Sequence, residues 1–517
     1  MDIVDIFLLS IVVILLRLWW VRYPPTTTMN QSKNLPPGPP GWPIVGNLFQ
    51  VILQNRPFMY IVKDLRKHYG PIFTMQMGQR TLIIITGPDL IHEALVRRGP
   101  TFASRPAESL TRLVFSLGKC AINSAEYGPL WRALRRNFTT EVVSPARVRQ
   151  CGWIREWAIS NHMARLRNEA HENNNVVEVM SNCRLTICSI IICICFGAKI
   201  TEEWVKNIES VLKEVMLMTL PKLPDFLPVL TPLFALTGQL RRAKELRRRQ
   251  MEILGPLVQA RKAFVEGYAS GPTSLGPLEM VSPVGAAYVD SLLGLEVPGR
   301  VGGLGEPELV TLCSEIINAG TDTSATAIEW ALLHLVLDQG IQQKLYEEIV
   351  NKVGENDVIT EPQVEEMPYL NAIIKETFRR HPPSHFLLSH AALEDTTLGG
   401  YTIPKSANVE IYTAWMTQDP AIWPNPDVFR PERFLPGGEG FEVDWTGNKG
   451  VKMIPFGAGR RICPAWTLGT LHVALLLARM VHSFKWVPVP GSLPDPTETF
   501  AFTMVMKYPL KAMIAPR

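Results

Sequence analysis

Between Leu35 and Asn47 the chain reads LPPGPPGWPIVGN, and no helix can pass through it. Each proline lacks a backbone N–H and fixes φ near −65°. Four prolines and two glycines in the six residues after Leu35 therefore make a stiff, extended connector. It divides the chain of 517 residues into a short N-terminal part and a long body. The N-terminal part holds an apolar run from Ile6 to Val21, broken by Ser10 and Arg17 and closed by Trp19, Trp20 and Tyr23. Aromatic residues at the end of such a run suit a membrane interface. Asp2 and Asp5 come first and Arg17, Arg22 and Lys33 follow, which is the reverse of a cleaved signal peptide. Residues 1–23 thus read as an uncleaved membrane anchor, 24–47 as a proline-rich connector, and 48–517 as a catalytic body kept on the cytosolic side by the positive-inside rule. Counted from Ile3, the run is long enough to cross a thin bilayer with Arg17 snorkelling outward.

The body can bury a large core, since 46% of residues are hydrophobic and 19% charged. A balance of 52 basic against 48 acidic residues leaves +4, and no basic helix is interleaved with aromatics, so nucleic acid is not an expected partner. Eight cysteines without CxxC spacing point to a reducing compartment rather than to a disulfide or zinc scaffold. Cys183, Cys188, Cys193 and Cys195, in CRLTICSIIICIC, read as small buried hydrophobes. Short β-like runs such as Thr81 to Thr86 are few, while helical periodicity runs through 306–340 and 362–381. The stretch 266–306, rich in Gly, Pro and Ser, reads as a loop-rich connection. The expected architecture is mainly α with small β-sheets, in one catalytic domain after the anchor.

The most specific segment is PFGAGRRICPAWTLG, Pro455 to Gly469. Small residues around Gly457 and Gly459 let backbone approach a flat cofactor. Cys463 then stands just ahead of an apolar helical run, where backbone N–H groups and the helix dipole favour a thiolate. With these residues the sequence resembles the cytochrome P450 superfamily, whose signature Phe-x-x-Gly-x-Arg-x-Cys-x-Gly is matched by Phe456, Gly459, Arg461 and Cys463 and departs at Ala465. The resemblance implies the haem-thiolate fold, haem b with Cys463 as the axial thiolate on iron, and insertion of one oxygen atom from dioxygen into a substrate.

Further segments agree with it. Trp131 and Arg135 lie at i and i+4 on one helix face, a donor pair suited to a carboxylate; the resemblance implies that Trp131, Arg135, His390 and Arg461 clasp the haem propionates, with Phe456 beside the cofactor. Glu376 and Arg379 form an ExxR pair, and the family joins them to Arg433 in a buried structural network. The segment SEIINAGTDTS resembles the family's oxygen-activating helix. There Thr323 can bond back to the carbonyl of Ala319 and loosen the ladder, Gly320 would leave a groove open for dioxygen and water, and Asp322 would supply protons. The apolar, proline-broken stretch Met216 to Phe234 would dip into the membrane surface or form a buried loop.

Electrons are expected from NADPH through a separate reductase, NADPH-cytochrome P450 reductase, because the chain has no dinucleotide-binding fingerprint. A basic face of Arg132, Arg136, Lys449 and Lys452 is its expected docking site. Other expected partners are membrane lipid and an apolar small molecule, and the expected location is the endoplasmic reticulum membrane. The wording of several segments is similar to plant microsomal enzymes that oxidise fatty acids within the chain; a terpenoid or phenylpropanoid is the alternative. The pocket is expected from Pro106 to Ala121, Met216 to Pro228, Glu315 to Thr323, Pro383 to Ser389 and Phe500 to Val505. A hydroperoxide isomerase or dehydratase, or a non-catalytic haem protein, fits less well, since neither needs the Asp322–Thr323 pair.

Overall fold

The computed structural model describes residues 34–228, 238–268, 278–355 and 357–517. The anchor expected at 1–23 lies outside them. From Asn34 the connector is extended and is fastened to the body. Thr74 N–H donates to Pro37 O at 2.8 Å and its hydroxyl to Pro36 O at 2.8 Å. Gly38 has no room for a side chain, because a Cβ there would run into the carbonyl of Thr74.

The strand that receives the connector is β1, Ile72–Met77, paired antiparallel with β2, Arg80–Ile85, the predicted TLIIIT run. β2 pairs in parallel with Asn408–Ile411. Helix α1, Phe58–Tyr69, packs beside this small sheet, and Met59 and Val62 join its apolar core.

The rest is mainly helical. In chain order follow α2, Pro129–Glu141; α3, Gly152–Glu172; α4, Val179–Phe196; α5, Glu202–Met218; α6, Gln239–Val265; α7, Glu306–Leu337; α8, Gln339–Val353; α9, Pro368–Arg380; and α10, Trp466–Ser483. α7 is the spine. Its 32 residues span about 48 Å, and Glu308 caps its start by accepting the Gly305 N–H at 2.8 Å. α4 is long and apolar enough to cross a membrane, yet most of it is buried inside the protein. It packs on α7 with Cys183, Cys188, Cys193 and Cys195 all enclosed, and burial pushes the Cys188 and Cys193 thiols up to about 12. Those cysteines are core residues.

Two stretches differ from their sequence readings. The connection at 266–306 contains a helix, Tyr288–Leu293, with Tyr288, Val289 and Leu292 in the main core. Of Met216 to Phe234, residues 229–234 lie outside the described residues. In the described remainder Met216 to Met218 end α5, and a short helix, Leu223–Phe226, is seated on the β1–β2 turn, where Gln79 N–H donates to Phe226 O at 2.7 Å and Leu227 is buried.

Candidate active site

Gly457 and Gly459 take φ of +73° and +67°, left-handed values that favour glycine. A Cβ on Gly459 would also collide with the carbonyl oxygen of Leu95. The turn Gly459–Arg461 then leads through Cys463 into α10. Cys463 N–H donates to Phe456 O at 2.8 Å, which closes the loop. Burial pushes the Cys463 thiol up, against the backbone N–H of Ala465 and the guanidinium of Arg135, which favour the anion. Ala465, the departure from the family signature, therefore serves the sulfur through its N–H, while its methyl packs on the main core.

The four polar residues expected around a cofactor carboxylate converge on this loop. Arg461 donates to Ala103 O at 2.7 Å, Ile122 O at 3.0 Å and Ala125 O at 2.5 Å, and stacks over the Trp131 ring at 4.6 Å. Arg135 donates to Ile462 O at 2.6 Å. Burial holds both guanidinium groups below their usual range, Arg461 at about 10. Trp131 is buried and its Nε1 has no partner, a donor among cations that awaits an anionic acceptor. His390 donates Nδ1–H to Phe102 O at 2.8 Å, and burial drives its value to about 3. Its ring is therefore neutral, with Nε2 an acceptor, unless an anion draws a second proton onto it.

Arg105 escaped the sequence reading, and Glu315 entered it only as one end of an expected pocket segment. Arg105 donates to Asn123 O, Leu388 O and Ser389 O at 2.7, 2.9 and 2.7 Å, and burial lowers it to about 9. Glu315 on α7 accepts the N–H groups of Ile122 and Asn123 at 2.9 and 2.6 Å, and burial lifts its carboxyl to about 7. The two hold the 122–125 loop whose carbonyls receive Arg461. The signal for Glu315 was its i, i+4, i+8 spacing with Ala319 and Thr323, which puts all three on one helix stripe.

On α7 the Thr323 hydroxyl donates to Ala319 O at 2.7 Å, four residues back. Gly320 does not face that groove. A Cβ there would meet Ile191 of α4, so the glycine lets two helices approach; the sequence expectation is corrected because the orientation of 320 is set by its neighbour helix. Asp322 is buried beside Arg184 of α4, whose Nη1 lies 2.7 Å from Oδ1 as an ion pair without hydrogen-bond alignment. Arg184 also binds Glu209 of α5 at 2.6 Å. Burial raises the Asp322 carboxyl, with Arg184 opposing. A small cavity lined by Arg184, Glu209, Lys213, Asn318 and Thr321 adjoins it.

The structure brings Glu376, Arg379 and Arg433 together, all wholly buried. Arg379 donates to both Glu376 oxygens at 2.7 and 2.8 Å, Arg433 Nε to Oε1 at 3.3 Å and Arg430 N–H to Oε1 at 2.9 Å. The remaining guanidinium donors reach the carbonyls of Thr417, Pro424, Asn425 and Pro426, and Arg433 also binds Glu439.

The family model for cytochrome P450 matches residues 36–515. The chain belongs to the cytochrome P450 family. Among curated relatives it is 35% identical to cytochrome P450 89A9 of Arabidopsis thaliana, over 94% of each chain. It is 32% identical to tryptamine 5-hydroxylase of Oryza sativa subsp. japonica, over 94% of this chain and 91% of that one. A zebra fish cytochrome P450 with progesterone superposes with a TM-score of 0.72 at 22% identity, covering 90% of this chain and all of that one; this likeness shows the fold. Cytochromes P450 are monooxygenases that use haem with a cysteine thiolate and take electrons from a reductase. The residues here fit that group: a glycine cradle beside a cysteine, an unpartnered buried indole N–H on Trp131, and the Arg135 and Arg461 cations beside that ring.

Proposed function

We propose that this cytochrome P450 is a membrane-anchored enzyme of the endoplasmic reticulum in which Cys463 is the haem thiolate and Thr323 and Asp322 handle protons on the opposite side. The observation that carries this reading is the pairing of two local devices: a cysteine in a glycine loop closed by its own N–H on Phe456 O, and a helix whose Thr323 hydroxyl is bonded to Ala319 O. Haem, when bound, supplies dioxygen binding and transfer of one oxygen atom, with thiolate electron density favouring O–O cleavage. The protein's residues supply the rest. Trp131, Arg135 and Arg461 hold the carboxylates, with His390 joining once their charge protonates its ring, and Phe456 flanks the loop. The Thr323 hydroxyl, which at rest donates to Ala319 O, would turn that proton toward the pocket, and Asp322, on the Arg184 side, would resupply it. Glu376, Arg379 and Arg433 hold the scaffold beneath the cysteine loop. NADPH-cytochrome P450 reductase docks on Arg132, Arg136, Lys449 and Lys452, which are all exposed. Residues 1–23 anchor the protein, 24–47 connect, and 48–517 form the body.

For the substrate, the sequence favours a fatty acid oxidised within its chain. The likeness to tryptamine 5-hydroxylase, and to carnosic acid synthase of Salvia fruticosa at 29% identity, supports the alternative of a ring-bearing specialised metabolite. Spectral titration of the reductase-coupled enzyme with C12–C18 acids, terpenes, flavonoids and aryl amines separates the two. In-chain product from an acid supports the first reading; turnover of ring compounds alone removes it. Cys463→Ser tests the ligand itself, since the carbon-monoxide band near 450 nm implied by the family must vanish while Cys195→Ser keeps it.

A further inference from the structure

The strands Glu498–Ala501 and Thr503–Met506, here β3 and β4 of a hairpin, differ in how they are held. Phe502 forms the tip at φ +74°, and Ala501 faces Thr503 across it. The inner strand β4 is fixed at Met504, whose N–H donates to Pro383 O at 2.9 Å and whose carbonyl accepts the indole N–H of Trp330, on α7, at 2.9 Å. Thr503, Met504 and Met506 are buried. The outer strand leaves Thr499 and Phe500 exposed. Its first residue, Glu498, reaches across to α1, accepting the Tyr60 hydroxyl at 2.9 Å, and lies 3.7 Å from His385 Nε2. His385 belongs to the 383–389 segment that also binds β4, and its ring meets Tyr412 edge to face.

We propose that Glu498 is a specificity-determining positioning residue: with Tyr60 it fastens the outer strand, and so fixes how far Phe500 and the Phe502 tip intrude on the substrate pocket. Thr323 and Trp330 share α7, so one helix carries both the proposed oxygen chemistry and the anchor of β4, while the outer strand, paired to β4, is tied in addition to α1. The Tyr60 hydroxyl is held protonated, pushed up to about 12 by burial and by the Glu498 carboxylate, which keeps it a donor throughout the working range. Glu498 touches no reacting atom in this scheme. It acts through Phe500. The inference rests on the reading of the 500–505 segment as pocket wall.

The test uses the full-length haem enzyme and two nitrogen ligands of different bulk, imidazole and clotrimazole, titrated by their spectral shift. Tyr60→Phe and Glu498→Ala should each change clotrimazole affinity about fivefold, the scale of one hydrogen bond, and leave imidazole within about twofold. Glu498→Gln, which keeps an acceptor for the hydroxyl, should restore at least half of the loss. Tyr60→Phe combined with Glu498→Ala should match either single change, because the two groups act as one pin. A carbon-monoxide spectrum kept at full height separates this outcome from loss of the haem site. Equal changes for both ligands, or an unchanged clotrimazole to imidazole ratio with haem intact, would overturn the proposal.

Discussion

Two buried ionic clusters, one centred on Glu376 of α9 and one on Asp322 of α7, are built to opposite standards. In the Glu376–Arg379–Arg433 network every charge is sealed from water, both carboxylate oxygens accept hydrogen bonds, and spare guanidinium donors end on carbonyls. In the Asp322–Arg184–Glu209 cluster the central ion pair lacks hydrogen-bond alignment, Glu209 is partly exposed, and a small cavity adjoins the carboxylate. A saturated network has nothing to move. A loosely paired, raised carboxyl can exchange its proton, which is what a relay requires and a brace must avoid.

The largest expected effect lies in the sealed cluster. Glu376→Ala should leave the buried Arg379 guanidinium without a counter-charge and Arg433 with Glu439 alone, at a cost of about 3–5 kcal/mol, read as failure to accumulate folded haem protein. If the variant folds with wild-type stability, the network is not a brace and the contrast fails. Thr323→Ala comes next. It removes a hydroxyl proton at little cost to helix propensity, so folding and ligand binding should persist while product formed per NADPH falls on the order of tenfold or more, with hydrogen peroxide rising in parallel. Full coupling at wild-type rate would remove Thr323 from proton delivery.

A smaller effect with a clear sign is expected at Asp322. A carboxyl held above its ordinary value stays protonated to higher pH, so it is a usable acid below that value and is lost as pH rises through it. Asp322→Asn should slow turnover and flatten this limb of the pH profile. Arg184→Leu, by removing the cation that opposes the rise, should carry the limb to higher pH. A limb that stays in place in both variants would assign it to another group. Gly320→Ala should do least: the added methyl meets only the movable end of the Ile191 side chain, for a loss of about 1–2 kcal/mol seen in thermal unfolding with coupling unchanged. Loss of coupling there would return Gly320 to the oxygen groove.

These sites differ in how legible they were. The Thr323 bond to Ala319 and the Glu376–Arg379 pair follow from helix spacing, because residues three and four apart meet on one face whatever surrounds them. Arg433 entered through the family resemblance, being more than fifty residues from Glu376 in sequence. Arg184 and Glu209 carried no signal, since they come from α4 and α5 and meet Asp322 only when three helices pack. Gly320 was misread for the same reason. The helix Tyr288–Leu293 was missed because six residues are too few to show a period.

The sequence by itself determined the mainly helical body, the break made by the prolines, the glycine-cradled Cys463 and the Thr323 device, since each depends on local backbone chemistry and on residues within one turn or one helix. The tertiary structure alone decided which cations face Asp322, where Arg105 and Glu315 hold the 122–125 loop, and that Glu498 reaches Tyr60. Those contacts join residues up to 438 positions apart, and no local rule fixes the partner of a charge that crosses between elements.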